Sequence, residues 1–277
     1  MNDAEVDGAR TAAPHTQLTI PARFCGPAAS GNGGFTAGTL ADLVRDAGEH
    51  ATVEVTLLSP PPLDRAMPVE HEGTDTWLRL DGDPVARARV SDAELSPVEA
   101  VDPEEARAAS SRFPGLTSHP FPGCFSCGPD RAPGDGLRIF PGPVGGPIGG
   151  AARLPGGSTA EEPVRVAAVW EPDADLAETS DLLDAGVQRV GPGVTWAALD
   201  CVGGWAGDLG ERLMVLGRMT AQVDAYPVAG EPHVVVGVAR GREGRKTFTA
   251  STLYDSDGRI VARAQHVWIA IERGQFG

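Results

Sequence analysis

Cys124 and Cys127 in Cys124-Phe125-Ser126-Cys127, with His119 just upstream, form the most metal-like spacing in the chain. A structural zinc site takes four ligands and no second pair follows at suitable spacing, so spacing alone assigns no metal and leaves the pair to packing or loop ordering. The densest basic cluster, Arg240-Gly241-Arg242-Glu243-Gly244-Arg245-Lys246, suits either phosphate binding or a solvated hairpin tip. Gly31-Asn32-Gly33-Gly34 and Gly191-Pro192-Gly193 each precede a helical stretch, and N–H groups at a helix start can face a developing oxyanion. Other signatures are missing. There is no Gly-x-Ser-x-Gly elbow, no His-Glu-x-x-His, no Gly-x-Gly-x-x-Gly and no Gly-Lys-Ser/Thr phosphate loop, which removes hydrolase-fold esterases, zincins, dinucleotide enzymes and P-loop nucleotide hydrolases.

Composition narrows the class further. Hydrophobic residues make up 41% and charged residues 22% of 277, an ordinary globular balance that excludes wholesale disorder. No apolar run reaches the ~20 residues needed to span a bilayer. The formal charge of −15 repels a phosphate backbone, so neither nucleic acid nor membrane is expected as a partner. Four cysteines are too few for a disulfide framework at this length, and reduced thiols are expected. The acidic start Met1-Asn2-Asp3-Ala4-Glu5-Val6-Asp7 lacks an apolar signal region, so the expected location is the cytoplasm.

An internal repeat organises the elements that must position these residues. In the first half an extended segment at 17–24 leads through Gly31-Asn32-Gly33-Gly34 into a helix at 35–44. Strands follow at 52–58, 67–70, 76–80 and 85–90, with Asp81-Gly82-Asp83 as a hairpin turn. The second half repeats that order: a strand at 164–170, Gly191-Pro192-Gly193, a helix at 194–202, then strands at about 213–224, 233–240, 246–254 and 259–271. One helix and an antiparallel run per half predicts an α+β fold, a curved sheet wrapped around a single central helix with no second helix nearby, and two such units can pair edge strands. The predicted organisation is an N-terminal tail at 1–16, without order, a first unit at 17–100, a crossover helix at 101–112 within a Gly/Pro-rich linker at 101–160, and a second unit at 161–277. Residues 141–157 are expected as an irregular surface loop. Residues 173–190 read as a second irregular insertion, with a helical turn around 176–183.

The sequence resembles the double-hotdog acyl-CoA thioesterases of the thioesterase II type over roughly 17–92 and 164–273. The resemblance rests on Gly33-Gly34-Phe35-Thr36-Ala37-Gly38-Thr39-Leu40 as a helix start, on Thr56-Leu57-Leu58-Ser59-Pro60 followed by Met67-Pro68-Val69, and on Gly244-Arg245-Lys246-Thr247-Phe248 through Arg259-Ile260-Val261-Ala262-Arg263-Ala264-Gln265 as the last hairpin. It is the order of these pieces, repeated, that carries the likeness.

The resemblance implies a water held by an acid, a hydroxyl and a Gln. The acid falls on Asp200 and the hydroxyl on Thr220. The third role falls on Gln265 by side chain and on His266 by count, and neighbours on a strand face opposite ways, so both stay candidates. Asp200 is flanked by Trp196, Ala197, Leu199 and Val202, an apolar setting that raises a carboxyl pKa and suits a general base. Gly33, Gly34 and Gly193 are expected to let the thioester approach the backbone, and Arg242 and Arg245 to hold coenzyme A phosphates. The expected function is hydrolysis of an acyl thioester, linked to coenzyme A or a carrier protein, without a cofactor, in a homodimer of double hotdogs. Two alternatives stand beside it: a hotdog that binds acyl thioesters without turnover, and a biosynthetic hotdog of dehydratase, isomerase or cyclase type in which His266 carries a proton.

Overall fold

The computed structural model describes residues 17–145, 165–176 and 187–272. Among these residues eleven strands form one antiparallel sheet in the order β1-β3-β4-β5-β2-β8-β11-β10-β9-β7-β6. The first half contributes β1 (Gln17–Thr19), α1 (Gly33–Ala41), β2 (Val53–Leu57), β3 (Ala66–Glu72), β4 (Asp75–Leu80) and β5 (Asp83–Val90). After α2 (Pro103–Ser110) and β6 (Gly142–Val144), the second half contributes β7 (Arg165–Trp170), α3 (Pro192–Ala206), β8 (Met214–Val223), β9 (His233–Glu243), β10 (Lys246–Tyr254) and β11 (Ile260–Ala270). With β7 matched to β1 and β8–β11 to β2–β5, the two halves have the same strand order, reflected about the β2–β8 seam. At that seam Val53 pairs with Ala221 and Thr56 with Arg218. Two exposed edges are removed by this pairing.

Local chemistry explains the helix boundaries. Asn32 caps α1 by accepting the Phe35 N–H at 2.8 Å, and Asp102 caps α2 by accepting from Glu104 N–H at 2.8 Å with Pro103 in the first turn. α3 carries Pro192 in its first turn, and nearly all of its residues are buried, so it behaves as a core helix.

Three expectations are corrected. The helices are not each alone within a sheet: α1 and α3 lie against one another, because Gly34 and Gly38 remove side chains where Trp196, Ala197 and Pro192 approach. Residues 142–144, expected in a surface loop, form β6 on the outer side of β7, with Gly142 pairing Ala167. The segment at 17–24 is strand only at 17–19 and closes with a 3-10 turn at Ala22–Phe24. The expected tail at 1–16, the loop beyond 145 and most of the 176–183 turn lie outside the described residues; Ala174–Leu176 form a 3-10 turn. No helix among the described residues is long and apolar enough to cross a membrane.

Candidate active site

The start of α1 faces the middle of α3. A helix leaves its first N–H groups without intrahelical partners, and here all but that of Gly33 find an acceptor. Phe35 N–H goes to the Asn32 side chain, Thr36 N–H to the Asn32 carbonyl at 3.0 Å, and Gly34 N–H to Asp200 Oδ2 at 2.9 Å. Gly33 N–H has no protein acceptor among the described residues and sits in the wall of a cavity of about 320 Å³. The cavity is lined by the apolar Leu57, Pro60, Leu216, Ile269 and Ile271, and by Asn32, Asp200 and three cysteines.

Asp200 is 2% exposed, and its Oδ1 has no hydrogen-bond partner. Burial, with a smaller push from Cys124, raises its pKa to about 7, while the Gly34 N–H and the nearby Asn32 side chain pull the other way. A carboxyl group poised near neutrality, with one oxygen held and the other unsatisfied beside the positive end of a helix, is suited to taking a proton from water.

The structure brings together only part of the sequence-derived set. Asp200 and Gly33 line the cavity, and so does Arg245, whose guanidinium donates to the Ala270 carbonyl at 3.0 and 3.1 Å. Thr220 and Gln265 do not join them. They are cross-strand partners, so they share a face, and Gln265 is exposed on the side of the sheet away from α3. A hydroxyl and an amide on that face cannot hold a water at Asp200, which corrects both assignments. His266 points inward but sits under the later turns of α3: a Cβ built on Gly203 would lie 2.6 Å from its Nδ1. Its Nδ1 meets Thr249 Oγ1 at 3.2 Å, its Nε2 is unpartnered, and burial lowers its pKa to about 4. His266 does not line the cavity.

All three glycines expected to admit a ligand have the space beside their Cα filled from within the protein: Gly33 by Leu216, Gly34 by Asp200 and Trp196, and Gly193 by Thr39 and Phe35. Arg242 is engaged with the Gly207 carbonyl at 3.1 Å and the Asp208 carboxylate at 3.4 Å, outside the cavity wall.

Asn32, Cys124, Cys127 and Cys201 are cavity residues that sequence reasoning did not assign. The signal for Asn32 was present: an Asn directly before a Gly-rich helix start. Cys201 had a signal only in its neighbour Asp200. The connection carrying the cysteine pair is docked by Ser126 Oγ donating to the Ala197 carbonyl at 2.8 Å, by Phe125 N–H to the Cys25 carbonyl at 2.8 Å, and by Phe125 packing on Phe24 and Phe35. Hydrogen bonds from Cys127 and Cys201 hold the Cys124 thiol below its usual range, while burial pushes Cys127 up.

No protein-family model and no curated protein sequence matches the chain. Solved structures do. A putative thioesterase from Novosphingobium aromaticivorans aligns with a TM-score of 0.56 at 15% identity, covering 92% of this chain and 95% of the other. The tesB protein of Mycobacterium avium subsp. paratuberculosis aligns at 0.54 and 14% identity, covering 94% and 95%. A putative thioesterase II from Thermobifida fusca aligns at 0.51 and 11%, covering 92% of each. The chain therefore has the hotdog fold, and at these identities the likeness is one of fold alone.

Proposed function

We propose that the chain is a double hotdog that hydrolyses acyl thioesters, of the acyl-CoA kind, with water activated by Asp200. The observation that carries this is the buried Asp200 carboxylate, one oxygen held by Gly34 N–H and the other without a partner, on a residue that lines the cavity at the start of α1. The acyl chain lies along Leu57, Leu216 and Ile269, the thioester carbonyl oxygen accepts from Gly33 N–H, and Arg245 at the cavity wall takes a coenzyme A phosphate. Water bound at Oδ1 attacks the carbonyl carbon and gives its proton to Asp200. The carbon–sulfur bond then breaks, and the departing sulfur receives that proton, giving a carboxylic acid and a free thiol. The working unit comprises both halves, 17–100 and 161–277, joined through 101–160, since α1 contributes the N–H and α3 the carboxylate. A homodimer completes the proposal on the resemblance alone.

A second reading, binding without turnover, is favoured by the absence of Thr220 and Gln265 from the cavity. Thiol release from a panel of acyl-CoA esters decides between them. Wild type is expected to release thiol, and Asp200→Asn to lose about 10²–10⁴ of the rate, the usual contribution of a general base. Binding of every ester with no thiol release establishes the second reading, and full activity in Asp200→Asn removes the first.

A further inference from the structure

The hydrolytic reading leaves three buried thiols in the cavity wall without a task. Cys124, Cys127 and Cys201 come from two separate parts of the chain, the docked connection and α3, and their sulfurs all lie within 4.8 Å of one another. Cys124 Sγ and Cys201 Sγ are 3.6 Å apart, too far for a disulfide bond. A tetrahedral zinc with Zn–S bonds of about 2.3 Å holds its sulfurs about 3.8 Å apart, close to the 3.6 Å of this pair and within the 4.8 Å that bounds the set.

The surroundings carry the same chemistry. The connection turns tightly through the pair, with Gly128 N–H donating to the Cys124 carbonyl at 2.8 Å. A Cβ on Gly128 would lie 2.5 Å from that oxygen, so the turn excludes any larger residue. Asn32 Nδ2 donates towards Cys124 Sγ at 3.7 Å and Cys201 Sγ at 4.0 Å. N–H donors around thiolates orient metal ligands and offset their charge.

His119 is the obvious fourth ligand, and its hydrogen bonding argues against that role. Its Nε2 lies 3.3 Å from Cys127 Sγ, while its Nδ1 accepts the Phe121 N–H at 2.9 Å. A neutral imidazole that accepts at Nδ1 carries its proton on Nε2, so Nε2 has no lone pair for a metal and donates to the sulfur instead. All three cysteines line the cavity that holds Asp200, which leaves the remaining coordination position on the ligand side.

We propose that Cys124, Cys127 and Cys201 form a three-thiolate zinc centre in the cavity wall, with its fourth position open to the cavity and His119 an N–H donor to Cys127. Thiolate-rich tetrahedral sets select zinc among the divalent ions. A fourth position left open is the arrangement of reactive rather than purely structural zinc.

The test uses the full chain, purified reduced and without chelator, reconstituted with zinc, gel-filtered and analysed for metal by mass spectrometry. About one zinc per chain is expected to survive filtration. Cys124→Ser and Cys201→Ser are expected to fall to background, Cys25→Ser to keep the metal, and His119→Gln to keep it with about 10–100-fold weaker affinity. Because a serine variant can fail by unfolding, the wild type is also loaded with cobalt(II). The expected result is thiolate-to-cobalt charge-transfer absorption with the intense visible bands of a four-coordinate ion. Background zinc and no charge-transfer band in the folded wild type overturn the centre, as does a disulfide among the three cysteines. Metal loss in His119→Gln as complete as in Cys201→Ser overturns the open position. No readout depends on turnover, so the centre and the hydrolytic reading fail separately.

Discussion

Replacing Gly34 by Ala sets two known effects against each other, and the structure decides the sign. In a free helix the change is favourable by about 1 kcal/mol. Here the new methyl would stand 2.5 Å from Asp200 Cβ, 2.7 Å from the Trp196 carbonyl oxygen and 3.0 Å from Ala197 Cα. The last two are backbone atoms of α3 and cannot swing aside. Carbon contacts rest at about 3.5–4.0 Å, so α1 and α3 must part by roughly 1 Å. Overpacking of that kind costs about 1–3 kcal/mol. The same movement stretches the 2.9 Å bond from Gly34 N–H to Asp200 Oδ2 beyond hydrogen-bonding range, and a bond to a charged group contributes about 1.5–3 kcal/mol. Less the helix gain, Gly34→Ala is expected to lower unfolding stability by roughly 1.5–5 kcal/mol. Urea unfolding measures it as a reduced midpoint at unchanged slope. Gly38→Ala meets the Pro192 carbonyl oxygen at 2.5 Å but has no bond to the carboxylate, so it should cost less. Exposed Gly48, with nothing within 4 Å, should change little on going to Ala. Thioester hydrolysis should fall in Gly34→Ala beyond any fall in Gly38→Ala, because only the former displaces the base. A Gly34→Ala protein as stable as wild type would refute the close helix crossing and the carboxylate anchored on it.

Two further outcomes follow from the faces of β8 and β11. Thr220→Val and Gln265→Ala should each keep thioester hydrolysis within about twofold of wild type, under ~0.5 kcal/mol of barrier, and a tenfold loss in steady-state rate for either would put the water on the other face of the sheet. His266, held neutral with its pKa near 4, protonates more readily in the unfolded chain, where its pKa is about 6.5. Its contribution to stability is therefore complete above pH 6.5 and is lost as pH falls towards 4, by at most about 3 kcal/mol. Asp200, shifted upward, runs the opposite way between pH 4 and 7, so the measurement is the difference between wild type and His266→Asn. Unfolding curves for the pair should converge on acidification, and a constant gap from pH 7 to 4 would show that His266 is not buried neutral.

The repeated succession of elements along the chain and both helix starts were legible because they depend on local signals: alternation, turns such as Asp81-Gly82-Asp83, and Gly-rich stretches before apolar helices. Asp200 stood out as a carboxylate in an apolar helix. What failed depended on parity and distance. Thr220 and Gln265 each stand one residue from an inward-facing neighbour, Met219 and His266, and a single residue of shift decides which side chain faces α3. Gly34 and Gly193 were read as room for a ligand, whereas small residues on facing helices serve equally for helix contact. The Gly34/Gly38 spacing, one helical turn, carried that signal. Cys201 is remote in sequence from Cys124 and Cys127, so no spacing rule could join them, and only the packing of the 113–141 connection on α3 does so. Residues 142–144 looked irregular because Gly and Pro depress strand propensity, yet an edge position beside β7 tolerates both.

The duplicated strand order makes the site's asymmetry informative. Each half presents a helix start to the other half's helix, so a strictly symmetric pair would carry two equal sites. At the start of α1 the opposing group is the Asp200 carboxylate, while at the start of α3 the space beside Gly193 is filled by the Thr39 hydroxyl and the Phe35 ring. Asp42, the acid at the corresponding end of α1, is the exposed C-terminal cap of that helix and faces no helix start. One half thus supplies the N–H groups and the other the base, and the second crossing has been given over to packing. Phe35 stacks on Phe24 at 3.8 Å and meets Phe125 edge-on, so the ring that closes the disused crossing also fixes the connection bearing Cys124 and Cys127. Fusing the halves into one chain is what permits this division: identical subunits would have to place the same residue in both positions, and neither a buried carboxylate nor a packed aromatic ring can do the work of the other.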